Sequence, residues 1–223
     1  MNHTTPLTFY TANTPNGQKV AIFLNEAGLD YDQVNLDLSR GDQHQPSYRR
    51  INPNGKIPAI FDKESGVTVF ESGAILSYLS AKTGCLLPPT DAEQVAVQQW
   101  LHFQIGGIGP MLGQLWWFLH GSQTENPEAI QRYRKEALRL YQVVDARLSE
   151  STFIALPSYS IADIAAFVWL RTWGELSLDI SPFSHIRRWL DLIESRPAVQ
   201  QGLLVSKQEG SPFDQNQLDL PKG

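Results

Sequence analysis

Cysteine is almost missing from this chain. The one present, Cys85, excludes an internal disulfide and leaves no second thiol for a redox pair. Long apolar runs are missing as well. None approaches the ~18 residues that a spanning helix needs, so no membrane partner is expected. Basic character is missing too: Lys and Arg number 18 against 23 Asp and Glu, scattered without a stripe, and no nucleic-acid partner is expected. Met1-Asn2-His3-Thr4-Thr5-Pro6 has neither the basic segment nor the apolar core of a signal peptide. No spacing of His, Cys, Asp and Glu suggests a metal. A cytoplasmic location is the expectation. At 223 residues the chain has room for one large domain or two modest ones.

What is present is organised around residues 52–73. Asn52-Pro53-Asn54-Gly55 is a polar turn, and Lys56-Ile57-Pro58 leads into the apolar Ala59-Ile60. Pro58 cannot donate to a ladder, so it belongs at the first residue of a strand, where a cis bond is one option. There it leaves the backbone of Ile57 available to pair with an extended peptide. Val69-Phe70-Glu71-Ser72-Gly73 ends a second strand and starts a helix. Unpaired N–H groups and the positive end of the helix dipole favour a carboxylate at such a start. An edge for pairing beside an anion site suits a small, extended, acidic peptide.

The rest of the first 87 residues supports one layered domain. Leu7-Thr8-Phe9-Tyr10-Thr11 reads as a strand, and Asn13-Thr14-Pro15-Asn16-Gly17 as a loop. Val20, Phe23, Leu24 and Ala27 form a helical stripe closed by Gly28. Val34, Leu36 and Leu38 alternate as a second strand, which makes a βαβ unit with parallel strands. A helical turn is expected near 47–50, then two antiparallel strands joined at Lys63-Glu64-Ser65-Gly66, then a helix over 72–83. The order β-α-β-turn-β-β-α predicts a mixed four-stranded sheet with helices on it.

Leu87-Pro88-Pro89-Thr90 is the one clear linker, and no convincing strand follows it. A helix over 91–120 is interrupted by Gly106-Gly107-Ile108-Gly109-Pro110, and Pro110 should kink or divide it. Asn126-Pro127 opens a long helix whose face carries Ile130, Tyr133, Ala137, Leu140, Tyr141, Val144 and Leu148. Ser160-Ile161-Ala162-Asp163 is a capping box before a run that is apolar on nearly all sides, expected at the centre of an all-helical domain. A last helix over 183–196 stops at Pro197. From Gly210 the chain is polar and expected to be loose. The expected domains are 1–87 and 91–209, with a tail over 210–223.

The architecture and the motifs together resemble the cytosolic glutathione transferases, over residues 7–204. Asn54-Gly55-Lys56-Ile57-Pro58 resembles that family's segment ending in a cis-proline. Glu71-Ser72 resembles its acidic–serine pair, and Ser160 to Asp163 its capping box. Within the family, Thr14-Pro15-Asn16-Gly17-Gln18-Lys19-Val20, Asn25-Glu26-Ala27-Gly28-Leu29, the run from Ile105 to Gln114 and Gln131-Arg132-Tyr133 look most like the bacterial Nu class. The resemblance implies an α/β plus all-α fold: a thioredoxin-like βαβ-ββα domain followed by a helical one. It also implies a homodimer and an enzyme that reduces disulfides with glutathione as cosubstrate and without a metal. Conjugation of small electrophiles, peroxide reduction and non-catalytic glutathione binding are the alternatives. The aromatic run Trp116-Trp117-Phe118 departs from expectation and leaves the second substrate open.

Disulfide exchange needs a thiolate, and without a usable protein cysteine glutathione must supply it. Thr14 stands where redox relatives carry cysteine before proline. Its hydroxyl and the Asn16 amide are the expected donors to that sulfur, aided by the helix starting there. Alone, the same residues would read as a turn and a cap. Glu71 is expected to bind the α-ammonium and Ser72 the α-carboxylate of the γ-glutamyl end. Lys56 and Gln43 are assigned to the glycyl carboxylate, Ile57 contributes backbone, and Arg132 is a candidate from the second domain. Tyr10 is the rival activator, although a packed strand aromatic fits its position better.

Overall fold

Leu7-Thr8-Phe9-Tyr10-Thr11 is aromatic and β-branched, as a doubly covered strand should be, and β1 (Leu7–Thr11) is buried along its whole length. The computed structural model describes residues 5–205 and 210–214. Contacts divide the chain into two units, residues 1–85 with 197–223, and residues 86–196. In the first unit α1 (Pro15–Glu26) buries Val20, Ala21, Ile22, Phe23 and Leu24 and passes through Ala27 to Gly28 at φ 61. β2 (Tyr31–Asn35) lies parallel to β1, from Leu7↔Tyr31 to Thr11↔Asn35. The strand ends earlier than the Val34, Leu36, Leu38 alternation predicts, because β1 offers no partner beyond Thr11. Leu36 is still buried, whereas Leu38 is exposed.

A 3-10 turn (Asp42–His44) and α2 (Pro46–Ile51) lead to β3 (Ala59–Asp62), antiparallel to β1. β4 (Val67–Phe70) returns antiparallel to β3, and α3 (Ser72–Thr83) ends on Gly84 at φ 72. This is the thioredoxin-like βαβ-ββα layout.

The second unit is helical. α4 (Asp91–Phe103) starts with a reciprocal box between Thr90 and Glu93. The interruption at 106–110 is a π-helical turn over Gln104–Ile108, followed by α5 (Gly109–Trp116) and a second π turn over Trp117–Gly121. Pro110 sits in the first turn of α5, where its missing N–H costs least. α6 (Pro127–Glu150) buries Ala137, Leu140, Tyr141, Val144 and Leu148, the face given by the apolar period. α7 (Ile161–Leu170) is buried at every position except Trp169 and forms the centre of this unit. α8 (Ser184–Glu194) buries Ile186, Trp189, Leu190 and Ile193.

The chain then returns to the first unit, which corrects two expectations. α9 (Pro197–Leu203) belongs with α1 rather than with the helical domain expected to run to 209. A Cβ on Gly202 would lie 2.6 Å from the Cα of Ile22, so the two helices meet backbone to backbone and only glycine fits. The segment from Gly210 is not loose at its start. β5 (Ser211–Pro212) pairs parallel with β2, and Phe213 N–H donates to Asn35 O at 3.0 Å. The sheet is therefore five-stranded, in the order β4-β3-β1-β2-β5. The unpaired edge of β2 recruits this strand, and a two-residue element leaves no periodicity to read. Residues 1–4, 206–209 and 215–223, the last being the rest of the expected tail, lie outside the described residues. Among those described, no helix is long and apolar enough to cross a membrane.

Candidate functional site

Strand directions bring four segments to one end of the sheet. β1, β2 and β4 finish there, and β3, antiparallel to β1 and β4, begins there; Tyr10 pairs with Ala59, which pairs with Phe70. The residues that leave or enter at this end carry Thr14 and Asn16, Gln43, Lys56 and Ile57, and Glu71 and Ser72. Seven of the eight expected site residues thus come to one end of one unit.

At the start of α1, Thr14 is the N-cap, and its Oγ1 accepts from Gly17 N–H at 3.2 Å. A hydroxyl that accepts in this way keeps its own proton to donate. Pro15 and Asn16 follow, and no acidic residue in the first turn neutralises the positive helix end. Gly17 has to be glycine: a Cβ would lie 2.4 Å from Ala12 O, so the loop wraps tightly onto the helix start.

The turn before β3 is held from below. Lys56 O accepts from Tyr48 Oη at 2.8 Å and from Asn52 Nδ2 at 2.6 Å. Asn52 Oδ1 accepts from Asn54 N–H at 3.0 Å, so this buried amide spans its own turn. Burial pushes the Tyr48 hydroxyl well above its ordinary pKa, and it stays a neutral donor. Gly55 adopts φ 62, and a Cβ there would stand 3.0 Å from Gln43 O, so this turn lies directly on the segment carrying Gln43. Gln43 Oε1 is buried without a hydrogen-bond partner. The Ile57–Pro58 bond is cis.

At the start of α3, Glu71 is exposed at φ 69, an unfavourable conformation for glutamate, and its side chain makes no capping bond. Ser72 is buried, and its Oγ accepts from Lys19 Nζ at 3.1 Å. Lys19 is only 2% exposed. Burial pushes its ammonium down to about 7, and the Glu71 carboxylate pulls the other way.

Family models match segments of both units. The model described as Glutathione S-transferase, N-terminal domain, matches residues 5–81, and the one described as Glutathione S-transferase, C-terminal domain, matches residues 108–197. The chain belongs to the glutathione S-transferase family. The disulfide-bond oxidoreductase YfcG of Escherichia coli is 44% identical to this transferase, over 89% of this chain and 94% of that one. A glutathione transferase from Pseudomonas putida, solved with one glutathione disulfide per subunit, superposes with a TM-score of 0.86 at 40% identity, covering 91% and 93% of the two chains. One from Burkholderia graminis, solved with two glutathione molecules per subunit, gives 0.87 at 40% identity, covering 94% and 92%.

The remaining candidates sort by burial and place. Tyr10 is buried in the core of the sheet unit, edge-on to Tyr48 at 6.1 Å, as a packed strand aromatic. Cys85 lies past the far end of α3, about 18 Å along that helix from Ser72 at 1.5 Å per residue. Arg132 belongs to the helical unit of the transferase and is exposed on α6. There it lines an open cleft of about 1310 Å³ with Glu128, Glu136, Arg139 and Phe183. Trp116 and Trp117 are exposed, and Phe118 stacks on Tyr133 at 5.6 Å. Asp163 is fully buried and serves the fold. It accepts from Ser160 N–H and Oγ, from Ile154 N–H and from Trp189 Nε1.

Sequence reasoning missed Tyr48, Asn52 and Lys19. The first two act on a carbonyl, which no side-chain pattern records. Lys19 left a faint signal: it lies four residues before Phe23, on the buried face of α1.

Proposed function

We propose that this transferase binds glutathione at the shared end of β1, β3 and β4 and uses the bound thiolate to reduce disulfides. The carrying observation is the start of α1. Thr14 keeps a donating hydroxyl above an uncompensated helix N-terminus, where redox relatives would carry cysteine, and Cys85 lies at the other end of α3. In this reading Thr14 Oγ1 and the Asn16 amide hold the glutathione sulfur as its anion. Ser72 and the α3 N–H groups receive the γ-glutamyl carboxylate, and Glu71 receives the ammonium. The clamped segment at Lys56 presents the Ile57 backbone to the cysteinyl residue. Lys56 and Gln43 meet the glycyl carboxylate.

The bound thiolate attacks one sulfur of the substrate disulfide, forms a mixed disulfide and expels the other sulfur as a thiolate. A second glutathione thiolate then attacks the glutathionyl sulfur. Glutathione disulfide forms, and the remaining substrate thiolate leaves. Two glutathiones are oxidised for one disulfide reduced. The names of the relatives support this direction: one is a disulfide-bond oxidoreductase, and others were solved with two glutathiones or with glutathione disulfide. The proposal includes a cytoplasmic homodimer.

The test is turnover of a small disulfide with glutathione. Turnover should persist in Cys85→Ala and fall at least ~10-fold in Thr14→Ala or Asn16→Ala, the scale of one charge-assisted hydrogen bond. Loss of activity in the cysteine variant alone would reject the mechanism. A second reading, conjugation of the same thiolate to an apolar electrophile, rests on the exposed Trp116 and Trp117. Negligible rates on a chloronitrobenzene would dispose of it.

A further inference from the structure

Burying a lysine is expensive, and packing alone does not require one, since methionine or leucine would fill the same space. Lys19 is nevertheless 2% exposed inside α1, with its ammonium on the Ser72 hydroxyl at the first residue of α3. While Lys19 is charged, the direction of that hydrogen bond is fixed. An ammonium has only donors, so Ser72 Oγ accepts, and the serine proton must point elsewhere. A carboxylate arriving at the start of α3 therefore meets a serine already turned to donate. It also meets the first free backbone N–H groups, with a positive charge one hydroxyl behind them. Glu71 adds no capping bond of its own.

We infer that Lys19 is a positioning residue for glutathione: from behind the site, and through Ser72 Oγ, it orients and strengthens the receptor for the γ-glutamyl α-carboxylate. This rests on the glutathione reading above and goes beyond it, because Lys19 itself touches no ligand atom. The same ammonium links the helix carrying Thr14 and Asn16 to the helix carrying Ser72, so the thiol end and the carboxylate end share one buried support. Burial holds its pKa near 7 despite the nearby Glu71 carboxylate, and a second anion at Ser72 would favour the charged form further.

The experiment compares two ligands on the intact protein by calorimetry: glutathione, and the analogue in which 4-aminobutyrate replaces the γ-glutamyl residue and so lacks the α-carboxylate. Lys19→Met should weaken glutathione about 10- to 100-fold and leave the analogue within about 2-fold, which closes most of the wild-type gap between them. In turnover the change should fall on KM for glutathione, with kcat nearly kept. In a Ser72→Ala background, Lys19→Met should add little further loss. Lys19→Gln, which keeps a donor and loses the charge, should fall between wild type and Lys19→Met and serves if the latter fails to fold. Equal weakening of both ligands, or none, would overturn the inference and assign Lys19 to packing. Failure of the wild-type protein to bind glutathione at all would instead sink the site reading, and this inference with it.

Discussion

Two helices of this protein begin in opposite ways. At α7 the chain supplies its own anion: Asp163 is fully buried and takes four donors, from Ser160, Ile154 and Trp189, with nothing left over for a ligand. At α3 the carboxylate of Glu71 is exposed and caps nothing, the backbone is held at positive φ, and a buried lysine stands behind the first residue. Both starts have the same unpaired N–H groups and the same dipole. The difference is that a side chain fills the position at α7 and none does at α3. A closed cap stabilises the fold; in the proposed function the open one receives the glutathione carboxylate.

The largest test of this contrast is Asp163→Ala. It removes the acceptor from four buried donors and should cost about 3–5 kcal/mol in thermal or denaturant unfolding. A loss below ~1 kcal/mol would erase the distinction between the two starts. The two sites should also titrate with opposite signs. Burial pushes the Asp163 carboxyl up to about 6, above its ordinary 3.8, although its hydrogen bonds pull it back. The folded state then holds a proton that the unfolded chain has lost, so this group makes stability fall as pH rises from about 4 to about 6. Burial pushes Lys19 down from 10.5 to about 7, so there the unfolded chain holds the extra proton and stability rises as pH goes from about 7 to about 10. Unfolding curves of Asp163→Asn and Lys19→Met, each against wild type across those windows, should lose the respective slope. Unchanged slopes would mean that neither group titrates differently on unfolding.

Smaller effects are expected at α3. Ser72→Ala takes one acceptor from the buried Lys19 and should cost about 1–3 kcal/mol of stability, less than Asp163→Ala, while glutathione affinity drops by about 1.5–3 kcal/mol, the worth of a hydrogen bond to a charged group. A stability loss as large as that of Asp163→Ala, with glutathione affinity kept, would make α3 resemble α7 after all. Smallest is Glu71→Gly, which relieves a positive φ at an exposed residue and should raise stability by up to about 1 kcal/mol while weakening glutathione. A variant that gained neither stability nor lost affinity would show that the strained residue does nothing for the ligand.

Much of this was legible beforehand, because it is written in local patterns. The strands of the first unit, the start of α6 at Asn126-Pro127 and the all-round apolar run of α7 follow from period, proline and glycine alone. The exceptions share a cause. β2 stops where β1 stops, α9 docks where Gly202 lets two backbones touch, and β5 exists because β2 has an open edge. Each depends on a partner far away in sequence. The candidate site divides in the same way. Thr14, Asn16, Gln43, Lys56, Ile57, Glu71 and Ser72 were recognisable as residue types in turns and helix starts. The clamp of Tyr48 and Asn52 on Lys56 O, and the reach of Lys19 to Ser72, were not.

The amino-acid order alone therefore determined most of the elements, the family and the polar residues at each helix start, since those are properties of short stretches of chain. Only the tertiary structure decided which of those starts are closed and which stay open. Whether a charge is buried, and which hydroxyl it turns, depends on groups brought together across 53 residues of separation, as Lys19 and Ser72 are.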